Sequence, residues 1–239
     1  MKTEFEELDK LINLNEPEII AFTGLSLIDM LSGDIANNIC LHQECEVLEM
    51  VSHKKEYLIK RLVINQADVN YKNWYTKAYN DKELKQIAQS TIDLFETTTR
   101  LPTIVETKVM DTKDIIHYIE NYANWYADRD EIRTLVILDF FPLNDSYILE
   151  NSKRDKRYKR ESVKLIKSLS KICKRLRFPL IFVYFRDIDE ITNYVDKWVV
   201  LKENKNRRSI MSLEVHNKNE LIGTCDLKYN FEYRRFENL

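Results

Sequence analysis

Short β-branched and apolar runs alternate along this chain with longer segments in which apolar residues recur every three to four positions. Such alternation predicts a mostly parallel sheet covered by helices. The short runs read as strands at Glu18–Phe22, Glu46–Leu48, Thr103–Glu106, Thr134–Leu138, Leu180–Tyr184 and Trp198–Leu201, with helices at 27–43, 53–65, 80–96, 112–126, 159–177 and 187–194 between or after them. Beyond Arg208 two β-like segments, Ile210–Val215 and Thr224–Tyr229, flank the turn-like NKNELIG and predict an antiparallel hairpin added to the sheet. Pro17, Pro102, Pro142 and Pro179 sit at or beside the strand ends, where a missing N–H is tolerated. With no repeat and no Pro/Gly/Ser-rich linker, one α/β domain over residues 1–239 is expected. The stretch 66–101, with Trp74, Tyr75 and Tyr79, reads as a small helical insertion between two strands.

Composition narrows the class. At 239 residues, 44% hydrophobic and 32% charged, the chain can bury a core beneath a densely charged surface. No apolar run reaches the roughly 18 residues of a membrane span, and MKTEFEELDK lacks a cationic region leading into an apolar one, so a cytoplasmic protein is expected. Cys40, Cys45, Cys173 and Cys225 form no CxxC pair and no regular spacing, and His42, His53, His117 and His216 are equally scattered. That argues against a zinc site or a disulfide framework, and the cysteines read as reduced thiols in or near the core. Only three glycines occur, Gly24, Gly33 and Gly223. A phosphate-binding loop needs glycine where the backbone approaches the phosphate, so a Gly-rich cradle is not expected, and neither is a cofactor.

Several pieces in order carry a resemblance: FEELDKLI with EIIAF, VLEM at Val47–Met50 with LVINQADVN, TLVILD ending at Asp139, LSKICKRLRFPLIFVYF, and finally IGTCDLKYNFEYRRFEN. Together they resemble the C-terminal RecA-like motor domain of DnaB-type replicative DNA helicases over nearly the whole chain. The resemblance implies a RecA-like, mostly parallel sheet flanked by helices, and a setting in DNA replication. It also directs attention to departures. Where the family's phosphate-binding loop carries Gly-Lys-Thr, this chain reads FTGLSLIDML, with Leu27, Ile28 and Asp29 in those places. Glu49 matches the family's water-activating glutamate and Asp139 its magnesium-supporting aspartate, both read as vestigial if the cradle is lost. Phe185 stands where the family has a polar sensor glutamine, and His216-Asn217-Lys218-Asn219-Glu220 stands for its basic finger. These departures predict a protein that is not an enzyme and does not hydrolyse ATP. The family's ring-building N-terminal domain precedes the motor domain, whereas this chain starts at the motor domain, so an oligomer smaller than a hexamer is expected.

Charge is strongly segregated. Residues 153–177 contain twelve Lys/Arg against two acids, in a chain of net charge −2. Arg160, Lys164, Lys167, Lys171 and Lys174 recur at spacings of four and three and share one helix face, while Val163, Ile166, Leu169, Cys173 and Leu176 occupy another. The preceding KRDKRYKR falls where the resembled family has a channel-facing loop. Lys153, Arg154, Lys156, Arg157, Lys159, Arg160, Lys164 and Lys167 can neutralise phosphates, and Tyr158 can stack on a base. An acidic protein partner and a merely solvated helix face remain alternative readings. The chain therefore reads as a noncatalytic replication accessory or modulator that binds single-stranded DNA or other nucleic acid, the replicative helicase, or both. A divergent NTPase with an altered nucleotide site and a structural protein of a mobile element are the alternatives.

Overall fold

The computed structural model describes the chain except at Glu44, His53, residues 97–100, 128–132, 140–150 and 185–188, Glu190, Asn206 and Asn219, and except for the side chains of Glu96, residues 151–155 and Arg157. Among the described residues nine strands form one sheet: β1 (Ile19–Gly24), β2 (Cys45–Val51), β3 (Thr103–Glu106), β4 (Arg133–Asp139), β5 (Leu180–Val183), β6 (Lys197–Glu203), β7 (Ile210–Asn217), β8 (Leu221–Asn230) and β9 (Arg235–Glu237). Their order across the sheet is β3-β2-β4-β5-β1-β6-β7-β8-β9. The pairs from β3 through β6 are parallel, and those from β6 through β9 are antiparallel. The hairpin expected at the C-terminus thus extends to a third strand, β9, which three residues with one apolar side chain did not announce.

Seven helices accompany the sheet among the described residues: α1 (Glu6–Asp9), α2 (Ile28–His42), α3 (Lys55–Ala67), α4 (Tyr71–Thr76), α5 (Asp81–Glu96), α6 (Thr112–Ala127) and α7 (Asn151–Leu176). Strand alternation divides the core between two faces. Ile20, Phe22, Val47, Ile137 and Val183 pack with Ile28, Leu31 and Ile35 of α2. Ile19, Ala21, Val136, Leu138 and Phe182 pack on the opposite face with Ile115 of α6 and Leu165, Ile166 and Leu169 of α7. Because both faces are covered, β1, β4 and β5 read as continuous apolar runs instead of alternating ones. The 66–101 stretch contains α4 and α5, and Leu94 of α5 packs on Leu62 and Val63 of α3.

Two expectations change. The helix expected at 187–194 is, within the described residues, a 3-10 turn at Thr192–Tyr194. The segment 153–160 is not a loop but the opening of α7, which starts eight residues earlier than its apolar period suggested. Lys and Arg are good helix formers, so a cationic run without apolar repeats still propagates a helix.

Candidate functional site

In open parallel sheets, ligands meet the protein at the carboxyl ends of the strands. Here β1 ends at Gly24, β2 at Val51 and β4 at Asp139, with Glu49 of β2 in register with Ile137 of β4. Glu49 shares strand parity with Val47, and Asp139 with Ile137, so both carboxylates lie on the α2 face near the strand tips. Both residues are buried. Asp139 Oδ2 accepts hydrogen bonds from the Ser52 hydroxyl at 2.7 Å and the Ser52 amide at 3.3 Å, which ties the end of β2 to the end of β4.

The β1–α2 connection passes directly beside these residues. Gly24 has φ +112°, and a Cβ there would stand 2.2 Å from the Leu201 carbonyl oxygen of β6. Glycine alone relieves both problems. Leu25 N donates back to Leu201 O at 3.2 Å, and α2 begins three residues later. Of the residues standing for Gly-Lys-Thr, Ile28 is fully buried in the core and Leu27 packs partly buried against it. Asp29 lies in the first turn of α2, where its Oδ1 accepts from Met30 N at 2.8 Å.

A buried ion pair lies behind that turn. Arg61 of α3 reaches α2, where its Nη2 donates to Met30 O and to Asp34 Oδ1, each at 2.7 Å. Asp34 Oδ2 accepts from the backbone N of Phe236 at 2.9 Å, so the same carboxylate pins β9 to α2. Gly33 explains how the guanidinium fits: a Cβ there would come within 2.9 Å of Arg61 Nη1 and 3.5 Å of Glu49 Oε1. Glycine inside a helix costs about 1 kcal/mol against alanine, and the close approach of Arg61 accounts for it. Burial pushes the Asp34 carboxyl up to about 6, while Arg61 and the Phe236 N–H pull it down. Sequence reading missed this cluster, since Asp34 and Arg61 are 27 positions apart with no local motif.

The basic helix lies on the other side of the sheet. Lys156, Lys159, Arg160, Lys164, Lys167, Lys171 and Lys174 of α7 are exposed. The Arg160 side chain is 76% exposed and that of Lys164 55%, and each stands within 4.0 Å of Glu161, the nearest acid on the helix. Lys167 Nζ lies 4.6 Å above the Tyr194 ring, and Arg175 pairs with Glu120 of α6. Lys153, Arg154 and Arg157 fall within the helix, but their side chains lie outside the described residues. Tyr158 is not among the exposed residues. It is 3% exposed and stacks on Tyr184 at 5.3 Å between centroids, so it belongs to the core and has no ring face to offer a base.

The other singled-out residues fall elsewhere. Phe185 and Asn219 lie outside the described residues. His216 and Asn217 end β7, and the His216 ring stacks on Trp198 of β6 at 5.6 Å and 5°. All four cysteines are buried and none is in a disulfide. Burial pushes the Cys40 thiol up to about 12 and that of Cys225 up to about 11, which keeps both un-ionised at neutral pH. Among the described residues no group of three or more His, Cys, Asp or Glu is placed to hold a metal ion, and no helix is long and apolar enough to cross a membrane.

No family model matches the chain, and no curated protein matches it in sequence. Its three-dimensional arrangement is more telling. A solved ATPase domain superposes with a TM-score of 0.76 at 15% identity, over 99% of this chain and 90% of that one. The chain has the fold of a DnaB-like helicase ATPase domain. A DnaB-like replicative helicase solved for its interactions with primase gives a TM-score of 0.73 at 14% identity, over 99% of this chain and 61% of that one. The RecA-like architecture implied by the resemblance is therefore present, with its parallel sheet, flanking helices and antiparallel C-terminal strands. The expectation that the chain is not an enzyme is corrected by the same finding. Its scaffold is that of solved ATPase domains, an enzyme fold, so the replaced loop residues alone do not carry that expectation.

Proposed function

We propose that this protein has a helicase-related role in DNA replication and engages nucleic acid through the exposed cationic face of α7. The observation that carries this reading is the row formed by Lys156, Arg160, Lys164, Lys167, Lys171 and Lys174 on the solvent side of one helix, whose opposite side is anchored by Leu165, Ile166 and Leu169. At ~1.5 Å per residue the row is about 27 Å long, and its apolar side is seated on the core. Point charges without an exposed aromatic among them favour phosphates over bases, so binding is to the backbone and independent of sequence. The helicase-like scaffold supports a replicative helicase as protein partner.

The test is titration of arbitrary-sequence single-stranded DNA across a range of salt. Affinity should fall with a logarithmic slope of about −0.7 per phosphate neutralised. Reversing Lys156, Arg160 and Lys164 to glutamate should abolish binding. No binding by the unaltered protein at low salt, or unchanged binding by the reversed one, would sink the reading.

A second reading, a divergent nucleotide hydrolase, draws on the two buried carboxylates at neighbouring strand tips of an ATPase fold, Glu49 and Asp139. Millimolar ATP with magnesium should then raise the melting temperature, because a ligand at 100 times its Kd stabilises by about 2.7 kcal/mol. Glu49→Gln should stop phosphate release while leaving that shift in place. Absence of both effects would remove the reading.

A further inference from the structure

The sheet ends at β3 in an unpaired edge. β3 pairs with β2, and among the described residues no strand lies on its other side. Thr107 N donates to Val51 O at 2.8 Å. By the two-residue alternation of a strand, Thr103 and Val105 then turn their peptide groups to β2, while Ile104 and Glu106 turn theirs outward. Those outward groups have no backbone partner among the described residues. The edge also lies between two apolar flanks. On the α2 face Ile104 packs with Leu62 of α3 and Leu94 of α5, and a cavity of about 130 Å³ opens there beside Ile59 and Phe95. On the opposite face the Tyr122 hydroxyl of α6 donates to Thr103 Oγ1 at 3.4 Å, and a shallow groove of about 310 Å³ is lined by Tyr118, Tyr122, Trp125 and Tyr126. Phe95 is 56% exposed and Trp125 67%, so both flanks present aromatic surface to solvent.

A free edge is usually blunted by charge along its length. Here the charges gather at one end. Lys55 N donates to Glu106 Oε1 at 3.0 Å, which sets Lys55 beside the end of β3, and Lys108 follows two residues after Glu106. Both lysine side chains are exposed, and neither is ion-paired among the described residues. Outward N–H and C=O groups are complementary to another strand. A strand added about 4.8 Å from β3 carries its side chains alternately over the two flanks, one set at the Ile59–Phe95 cavity and the other on the Tyr122–Trp125 groove. We propose that β3 is a docking edge for an extended segment of a partner protein, apolar and aromatic in alternation, with acidic residues at the end that meets Lys55 and Lys108. Main-chain hydrogen bonds to Ile104 and Glu106 hold the segment, the two flanks select its side chains, and the lysines set its direction.

The probe is a synthetic hexapeptide of alternating leucine and tyrosine with two aspartates at its C-terminus, or in a second version at its N-terminus, for parallel and antiparallel pairing. Titrated into the full chain and followed by amide NMR, one version should saturate, slow hydrogen exchange at the Ile104 and Glu106 amides, and bind more weakly as salt rises. N-methylating alternate backbone nitrogens of that peptide gives two further probes. The one methylated on the side facing β3 should bind about tenfold more weakly or worse, and the one methylated on its solvent side should bind as the parent does. A ligand that is not a paired strand gives no such alternation. Phe95→Ser and Trp125→Ser, at exposed positions, should each weaken binding while the melting temperature stays within a few degrees. Lys55→Glu with Lys108→Glu should weaken it too, while a peptide carrying two lysines in place of the aspartates gains. Reversal of the α7 cations should leave peptide binding intact, which separates this edge from the nucleic-acid reading of α7. No saturation by either peptide at millimolar concentration, or equal binding by the two methylated ones, would overturn the proposal. So would a light-scattering mass of two copies that returns to one with Phe95→Ser, since the edge then belongs to a second copy of this chain.

Discussion

The two faces of the sheet hold their cations in opposite ways. Behind α2, Arg61 is buried, its Nη2 bonded to Asp34 and Met30, and it links α3, α2 and, through Asp34, β9. Along α7, Arg160 and Lys164 stand mostly in water beside a single glutamate. An arginine removed from water must be paired and is then structural, whereas a row of solvated cations contributes little to stability and remains available to a partner. The comparison shows why the richest charge signal in the sequence lies on the solvent-exposed side of α7, while the buried charge that links three elements of the fold gives no signal at all.

The largest effect should come from breaking the buried pair on one side. Asp34→Ala leaves the Arg61 charge buried without its carboxylate and frees the Phe236 amide, at a cost of about 3–5 kcal/mol in denaturant unfolding. Tyr158→Ala tests the other face at the residue misread as a stacking platform. As a buried ring packed on Tyr184, it should also cost about 3–5 kcal/mol. A change below about 1 kcal/mol would return Tyr158 to the surface. Gly24→Ala comes next, because φ +112° and a Cβ 2.2 Å from Leu201 O are both unfavourable. The backbone strain alone should cost about 1–3 kcal/mol, seen as a lower denaturant midpoint.

The sheet was legible because β1, β4 and β5 are apolar runs that only a doubly covered strand can bury. Boundaries were less so: β8 begins at Leu221, where Leu221 and Ile222 are exposed and break the expected alternation. The start of α7 was misjudged because the cationic run hides its apolar stripe. Tyr158, Ser162, Leu165, Ile166 and Leu169 are all buried, and Tyr158 placed seven and eight positions before Leu165 and Ile166 was the available clue. The scarcity of glycine pointed away from a phosphate cradle but gave no hint that Gly33 makes room for Arg61. The Asp34–Arg61 pair was not legible, because it joins residues of two helices with no periodic spacing between them.

The pair also titrates. Burial raises the folded-state carboxyl of Asp34 to about 6 from 3.8. The folded state therefore holds this proton more tightly than the unfolded chain, and the associated stability is fully present below about pH 4 and is lost as pH rises through about 6. Asp34→Asn should flatten that part of the stability profile. The comparison to make is wild type against variant between about pH 4 and 7. A difference that grows in wild type's favour with rising pH would reverse the sign and mean that Arg61 outweighs burial.

The smallest effect on stability should accompany the largest effect on binding. Reversing Lys156, Arg160 and Lys164 to glutamate alters only exposed side chains, with the apolar anchor of Leu165, Ile166 and Leu169 untouched. Exposed substitutions of this kind usually change stability by less than about 0.5 kcal/mol each. Glu161 would lose its two neighbouring cations, a surface contribution of no more than about 1 kcal/mol per pair. The reversed protein should therefore melt within a few degrees of wild type while its affinity for single-stranded DNA disappears. If the reversal instead unfolds α7, the cations serve the fold as Arg61 does, and the contrast between the two faces fails.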